Sequence, residues 1–300
     1  MASGGGLPET QPILPGAPGP QPPGDRRSRI LGGAWQGQGR RAVLIAVVST
    51  VVFFAALVFA IVHAPGWPAV REAFFDGKQF RESFPATLRG FRTNVELFLV
   101  AEAIVLVFAL LIAVLRSLPG PVFFPIRLLA IAYTDFFRGV PTILVILILG
   151  FGAPTLGAGV PKSTFFWAVV ALVLVYSAYV AEVYRAGIES VHPSQVAAAR
   201  SLGLSRWQSL RFVVLPQAIR RVVPPLLNDF IGLQKDTALV SVIGTVEALR
   251  AAEIDSSATF NFTPYLATAL LFVVITIPLA RLTDWLIARE RAKRQAGTTL

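Results

Sequence analysis

Six blocks of apolar residues recur along this chain, and the first of them, residues 42–62, carries no charged side chain over its whole length. A helix of about 21 residues crosses the roughly 30 Å of hydrocarbon in a bilayer, since each residue adds about 1.5 Å. Because lipid offers no partners to backbone N–H and C=O groups, a block of this length folds as a spanning helix. The pattern predicts an all-α polytopic membrane protein.

The five later blocks differ from the first in the charges and helix-breaking residues that they contain. They are 95–115 (with Glu96 and Glu102), 128–151 (with Asp135 and Arg138), 164–181, 222–246 (with Pro224, Pro225 and Gly232) and 263–280. Together with the first block they predict six transmembrane helices.

Composition excludes several other classes of protein. The chain is 54% hydrophobic and only 15% charged, which is too apolar for a soluble domain of 300 residues. A net charge of +10 would suit nucleic-acid binding, but the basic residues lie between and beyond the apolar blocks, as topology requires. There is no cysteine, and His63 and His192 are isolated in sequence. We therefore expect neither a metal site nor a cofactor in this chain.

Basic residues also predict the orientation in the membrane. Residues 185–221 carry six arginines against one glutamate, and residues 289–294 are basic again. An excess of Lys and Arg marks the cytoplasmic side, so both termini are predicted to lie in the cytoplasm. Residues 1–40 are rich in Pro and Gly and predict a disordered cytoplasmic tail. Residues 41–63 form the first spanning helix, and residues 64–88 an extracellular segment that can lie in the interface as an amphipathic helix.

The long cytoplasmic loop, residues 186–223, contains the start and stop signals of two short helices. Pro193 suits the first turn of a helix, and Gly203 suits its left-handed end. Between them Ala197, Ala198 and Ala199 present small side chains that allow another backbone to approach closely.

A second short helix is predicted after the glycine. Ser205 with Gln208 three residues later forms a capping box, and Pro216 is predicted to end this helix. We call residues 193–216 the elbow. A helix–glycine–helix elbow on the cytoplasmic face predicts a docking surface.

The spacing within the elbow carries a family resemblance. Gly203, nine residues and then Val213-Val214-Leu215-Pro216 resembles the loop E-A-A-x(3)-G-x(9)-I-x-L-P of binding-protein-dependent ABC importer permeases. The stretches YTDFFRGVPTILVILILGFG, AEVYRAGIESVHPSQ and LPQAIRRVVPPLLNDFIGLQKDTALVSVIG are similar to the polar amino acid subfamily, such as the histidine and glutamine permeases. The resemblance covers residues 89–285 and implies a type I permease domain of five helices in a bacterial cell membrane. Residues 286–300 would then form a cytoplasmic tail.

The resemblance implies that the elbow is a coupling helix seated on a cytoplasmic ATPase. The residues it assigns to this role are Ala197, Ala198, Ala199, Gly203, Val213, Leu215 and Pro216. The implied partners are the ATPase, an extracellular substrate-binding protein and a second permease copy or a related one. The family glutamate falls on Ala197, and we expect a neighbouring group such as Arg200 to replace any polar contact that it makes.

Charges within the later blocks predict a translocation pathway for a polar amino acid. A charge in mid-bilayer costs about 2.5–3.5 kcal/mol on insertion scales, so these groups should face a partner or a wet cavity. The candidates are Asp135, Arg138, Gly139, Pro141, Asp229, Lys235, Asp236 and Thr237. They could bind the carboxylate and ammonium of a zwitterion, or could serve only one another, with Asp135 pairing with Arg138 and Lys235 with a nearby Asp.

Two other classes of function remain open from the residues alone. An ion-coupled secondary transporter of small polar solutes would use Asp135 or Glu102 as its proton-carrying group. A membrane-embedded enzyme is disfavoured because no nucleophile–base pair or metal cluster occurs in the sequence. The chain also lacks a phosphate-binding Gly-Lys-Ser/Thr loop, so ATP hydrolysis is expected in a partner subunit.

Overall fold

The computed structural model describes residues 40–296, with side chains for residues 41–289. This part of the chain is all helical and contains no strand. It divides into two compact units at Trp67. In the first unit, helix α1 (Arg40–Val62) exposes its large apolar side chains, as a lipid-facing helix does. The predicted tail of residues 1–40 lies outside the described residues, apart from the first residue of α1.

The second unit contains the other described helices, apart from Trp67 at the start of α2. They are α2 (Trp67–Phe74), α3 (Gly77–Ser117), α4 (Phe124–Gly139), α5 (Thr142–Leu147), α6 (Thr164–Glu189), α7 (Pro193–Ser201), α8 (Arg206–Ser209), α9 (Leu215–Asp236), α10 (Ala248–Thr259) and α11 (Thr263–Ala296). A π-helical turn (Ile148–Gly152) and a 3₁₀ turn (Ala153–Leu156) extend α5, a π-helical turn (Leu210–Val214) joins α8 to α9, and a 3₁₀ segment (Thr237–Ile243) follows α9.

Helix α3 is longer than a membrane crossing. Its 41 residues span about 61 Å, roughly twice the hydrocarbon thickness. Asp76 caps its N-terminus by accepting hydrogen bonds from the backbone N–H groups of Lys78 and Gln79. The predicted segment 64–88 is therefore a short amphipathic helix, α2, followed by the first residues of α3. A boundary drawn at residue 89 falls inside a continuous helix.

Within residues 40–296, four helices are long and apolar enough to cross a membrane, and a fifth span results when the bent pair α4 and α5 is counted as one. The two parts of this pair meet at 104°, so the third predicted span is not a straight helix. Val140, between them, is extended (φ −96°, ψ 131°). The reason is Pro141, which pushes the preceding residue out of helical conformation.

The fifth predicted block differs most from expectation. The prolines 224 and 225 do not break it, because α9 runs unbroken from Leu215 to Asp236 and changes to 3₁₀ geometry only at Thr237. Its 22 residues are long enough to cross a bilayer. It is less apolar than the helices that qualify as spans, because it carries several charged and amide side chains. These are Gln217, Arg220, Arg221, Asn228, Asp229, Gln234, Lys235 and Asp236.

Helix α6 forms the centre of the second unit. Its buried residues include Ala168, Ala171, Leu172 and Val175, and they pack with residues of α3, α5, α9 and the 3₁₀ segment in one apolar core. Ring contacts extend this core, as between Phe98 of α3 and Phe230 of α9, whose centroids lie 4.5 Å apart. Because α6 ends where the elbow begins, the core positions the elbow directly.

Candidate functional site

The elbow has the local geometry that its sequence predicts. Pro193 is at the start of α7, and Gly203 has φ +85°, in the left-handed region where a side chain is strained. Ser205 accepts a hydrogen bond from the Gln208 N–H while the Gln208 side chain accepts one from the Ser205 N–H. The capping box and the left-handed turn are thus confirmed, and the role of the elbow in docking stays a prediction.

Pro216 does not end the second short helix, contrary to the prediction. Helix α8 passes through the π-helical turn into α9, and the N–H of Leu215 donates to the carbonyl of Leu210, five residues earlier. A proline in a helix has no N–H to donate and clashes with the carbonyl four residues before it. The wider π-helical turn before Pro216 accommodates the ring, so the chain continues as one helix to Asp236.

The alanines of the elbow differ in exposure. Ala197 and Ala198 are exposed, whereas Ala199 is buried and cannot contact a partner with its side chain. Leu215 and Pro216 are exposed, and Val213 is half-buried. Arg200 donates from Nη1 to the carbonyl of Leu204 at 2.7 Å. It therefore stabilises the turn of the elbow, and its contact with a partner stays a prediction.

Large apolar side chains project from the elbow. Leu202 is 81% exposed, Trp207 67% and Phe212 61%. Exposed aromatic and aliphatic residues of this size are typical of protein interfaces, and Trp in particular contributes much of the binding energy there. These residues were not among those predicted to dock a partner. Leu202 adjoins Gly203 and Trp207 lies two residues after Ser205, and these positions were the available signal.

The break between α4 and α5 meets the end of α9. The carboxylate of Asp236 accepts a hydrogen bond from the Tyr176 hydroxyl at 2.9 Å and lies near the Thr142 side chain. Gly139 and Pro141 flank this break, next to Thr142. Two stretches of the predicted pathway, FRGVP and KDT, are thus brought together at one place against α6. Lys235 is exposed.

Three buried polar side chains lie beside this junction, and we call Asn94, Thr237 and Glu247 the polar node. Asn94 donates from Nδ2 to Thr237 Oγ1 at 3.1 Å and to Glu247 Oε2 at 3.0 Å. Its Oδ1 accepts from the N–H of Ala248 at 3.0 Å. Glu247 also caps α10 by accepting from the N–H groups of residues 249 and 250. Burial raises the pKa of the Glu247 carboxyl, and these hydrogen bonds oppose the rise.

A cluster of charges lies near the end of α6 that leads to the elbow. Glu182 accepts from Arg116 at 2.8 Å, pairs with Arg185, and lies 4.0 Å from Arg138. The predicted pair of Asp135 and Arg138 does not form, since Asp135 is exposed while Arg138 is directed towards α6. Residues three apart on a helix can pair, but a carboxylate on the neighbouring helix is the better partner here. The role of Glu182 could not be found from spacing, because its partners are distant in sequence.

A cavity of about 350 Å³ opens beside this cluster. Both signs of charge line it, with Arg138, Glu182, Arg221 and Asp229 among the lining residues. Asp229 Oδ2 is buried and has no hydrogen-bond partner in the structure, although a buried carboxylate oxygen ordinarily has one. Among residues 40–296 no group of three or more His, Cys, Asp or Glu side chains is placed to hold a metal ion. The cavity thus presents both signs of charge and one buried carboxylate oxygen without a partner.

Comparison with known proteins places the chain in a sequence family. Residues 122–292 match the family described as "Binding-protein-dependent transport system inner membrane component". The probable glutamine ABC transporter permease protein GlnM of Bacillus subtilis is 36% identical over 200 residues, which cover 66% of this chain and 90% of that protein. The arginine transport system permease protein ArtQ of the same organism is 33% identical over 196 residues, covering 65% and 88%.

A solved structure agrees with these matches. The crystal structure of an amino acid ABC transporter with histidines contains a chain that is 35% identical to this one. The two superpose with a TM-score of 0.66, over 71% of this chain and 98% of the other. The predicted resemblance and the all-helical permease fold are confirmed.

Proposed function

The chain belongs to the family of inner-membrane components of binding-protein-dependent transport systems, and from this we propose that it moves a polar amino acid into the cell as the permease of an ABC importer. Proteins of this family are multi-pass membrane subunits, so ATP hydrolysis occurs in a separate subunit and this chain is not an enzyme. Relatives named for glutamine and arginine support an amino acid as the substrate.

One observation carries the proposal: the same two helices line the cavity and hold the elbow. Tyr179 and Glu182 of α6, and Pro225 and Asp229 of α9, line the cavity, and the elbow connects the end of α6 to the start of α9. Movement of an ATPase bound to the elbow would therefore shift both walls of the cavity. This is the coupling that an importer with a separate ATPase requires.

The charges of the cavity suit a zwitterion. We propose that the free oxygen of Asp229 accepts from the substrate ammonium, while Arg138 or Arg221 binds its carboxylate. An ion-coupled transporter would also need a charged cavity, but it would not need the exposed Leu202 and Trp207 of the elbow. The elbow therefore favours the ATP-driven importer.

Hydrolysis of ATP by the assembled complex tests the proposal. The permease is co-purified with its ATPase, reconstituted in nanodiscs, and mixed with amino-acid-binding proteins of the same organism, each with and without its amino acid. We expect one substrate-loaded binding protein to stimulate hydrolysis several-fold. A permease that purifies with no ATPase, or a complex that no binding protein stimulates, would contradict the proposed function.

The neutral variant Asp229→Asn tests the ammonium site. A hydrogen bond to a charged group contributes about 1.5–3 kcal/mol, so we expect the amino acid concentration at half-maximal uptake to rise by about tenfold or more. The matched control is Asp284→Asn on α11, where the side chain is 69% exposed and only a 3.8 Å contact to Arg281 is lost. Equal uptake by the Asp229 variant and the control would remove Asp229 from the pathway.

We propose that α9 also crosses the membrane in spite of its charges, which brings the number of spans to six. The elbow, which is predicted to be cytoplasmic, precedes α9, and the 3₁₀ segment follows it. If α9 crosses the membrane, α11 crosses back and places the C-terminus in the cytoplasm. Several of its polar groups have partners inside the protein, as Gln234 does with Thr276 at 2.9 Å. Polar residues in spanning helices commonly face such an interior.

Protease accessibility tests this topology. A cleavage site inserted near Gly159, in the exposed turn before α6, is expected to be cut from outside intact cells. A site placed at the C-terminus is expected to be cut only after the cells are opened. Cleavage of the C-terminal site from outside would leave α9 on one side of the membrane and contradict six crossings.

A further inference from the structure

No role described above explains why the side chains of the polar node are almost fully buried. Asn94, Thr237 and Glu247 are each at most 2% exposed. Burying polar groups costs free energy unless each one is hydrogen-bonded, and apolar side chains of similar volume often hold helices together equally well. A hydrogen-bonded node has few arrangements in which every group is satisfied, so it selects one position of the helices.

The node lies where the helix changes type. Helix α9 ends at Asp236, the 3₁₀ segment runs from Thr237 to Ile243, and the left-handed Gly244 (φ +83°) precedes α10. A 3₁₀ stretch between helices often marks a hinge. Without a clamp, the two ends of such a segment could move apart.

Asn94 ties the start of this segment to the start of α10 with one amide group. Its Nδ2 donates to Thr237, the first residue of the segment, and also to Glu247 at the cap of α10. Its Oδ1 accepts from Ala248, the first residue of α10. Because Thr237 Oγ1 also donates to the Gln234 carbonyl at 2.7 Å, the clamp reaches back into α9.

Close packing prevents α3 from sliding along α10, so the Asn94 amide stays in place. A Cβ on Gly90, one helical turn before Asn94, would lie 2.6 Å from both the carbonyl carbon and the carbonyl oxygen of Glu247. The α3 backbone therefore touches the start of α10 directly. This contact fixes the height of Asn94 relative to the segment that it clamps.

Resting on the proposed function, we propose that Asn94 is a positioning residue of transport, which acts by clamping the start of the 3₁₀ segment to the start of α10. The clamp places Asp236, the residue before Thr237, at its contacts with Tyr176 of α6 and Thr142 of α5. Helix α6 leads from this junction to the elbow. Loss of the clamp should therefore uncouple ATP hydrolysis from uptake while leaving hydrolysis itself in place.

Isosteric variants separate positioning from simple packing. Asn94→Leu and Thr237→Val keep the number and branching of the side-chain heavy atoms and remove the hydrogen bonds. The matched control is Thr87→Val, a buried threonine on α3 whose hydroxyl donates only to the Ser83 carbonyl of its own helix. Each variant is reconstituted with the ATPase and with the binding protein that stimulates the wild-type complex. Uptake turnover, basal ATP hydrolysis and the midpoint concentration of binding protein are measured per assembled complex.

We expect Asn94→Leu and Thr237→Val to reduce uptake turnover at least tenfold, with basal hydrolysis and the midpoint within twofold of wild type. The double variant should lose little more turnover than the more impaired single variant, since the Asn94–Thr237 hydrogen bond is removed in both. Thr87→Val should transport like wild type. A reciprocal exchange, Asn94→Asp with Glu247→Gln, keeps one amide and one carboxyl in the node and should restore part of the turnover lost by Asn94→Asp.

Three results would overturn the inference. The first is normal turnover in both isosteric variants. The second is a fall in melting temperature with unchanged turnover per folded complex, which would make the node a packing element only. The third is an equal loss in Thr87→Val. A wild-type complex that no binding protein stimulates contradicts the proposed function as well, and is thereby distinguished from these results.

Discussion

Replacing Gly203 by valine is expected to release the ATPase from a permease that still folds and inserts. Gly203 has φ +85°, and a left-handed conformation costs an ordinary L-residue about 1–2 kcal/mol, with a β-branched side chain resisting it more strongly. Nothing lies within 4 Å of the position that its Cβ would occupy, so backbone strain and not a clash is the cause. The turn should open and separate the exposed Leu202 from Trp207.

We expect ATPase recovery with the purified Gly203→Val permease to fall at least tenfold, at normal permease abundance. The control is Gly159→Val, because Gly159 also has a positive φ (+95°) and open space but lies in the turn before α6. Ala197→Glu, which places the family residue on an exposed position, should be tolerated or should strengthen assembly. Normal ATPase recovery with Gly203→Val would show that the elbow does not couple the two subunits.

Replacing Glu182 by alanine is expected to destabilise the permease strongly. Its carboxylate holds Arg116, whose side chain is only 13% exposed, and also pairs with Arg185. Removing one partner of a buried ion pair leaves an uncompensated charge and costs about 3–5 kcal/mol. Because Glu182 is itself 22% exposed, the lower end of that range applies. At about 2–4 °C per kcal/mol, the melting temperature should fall by roughly 6–12 °C.

The control for this substitution is another glutamate on the surface of the same unit. Glu96 pairs with Arg92 at 2.8 Å, but the two side chains are 48% and 83% exposed. Such a pair contributes about 0.3–0.5 kcal/mol, so Glu96→Ala should shift the melting temperature by no more than about 2 °C. Equal shifts for the two variants would mean that the cluster around Glu182 is solvated and not structural.

The features that sequence predicts best are those set by neighbouring residues. The capping box of Ser205 and Gln208 and the left-handed turn at Gly203 depend on residue type within a few positions, and both form as predicted. Apolar length likewise predicts the first span, α1. Pro141 was a local signal for the 104° bend between α4 and α5, and it was not used.

Contacts between distant parts of the chain could not be predicted in this way. The spacing of Asp135 and Arg138 permits a pair, but only the packing of α4 on α6 brings Glu182 to Arg138. Asn94 and Glu247 are separated by 153 residues, and nothing in a single sequence connects them. The charged residues of α9 show the same limit, because their spacing reveals neither a cavity nor a partner.

Uptake of a labelled amino acid into proteoliposomes tests the central claim most directly. Vesicles that contain the permease and its ATPase are loaded with ATP, and the substrate-loaded binding protein is added outside. Uptake should require ATP and binding protein together, and should persist when proton and sodium gradients are abolished. Uptake by the permease alone, driven by an ion gradient without ATP, would contradict the importer and identify an ion-coupled transporter instead.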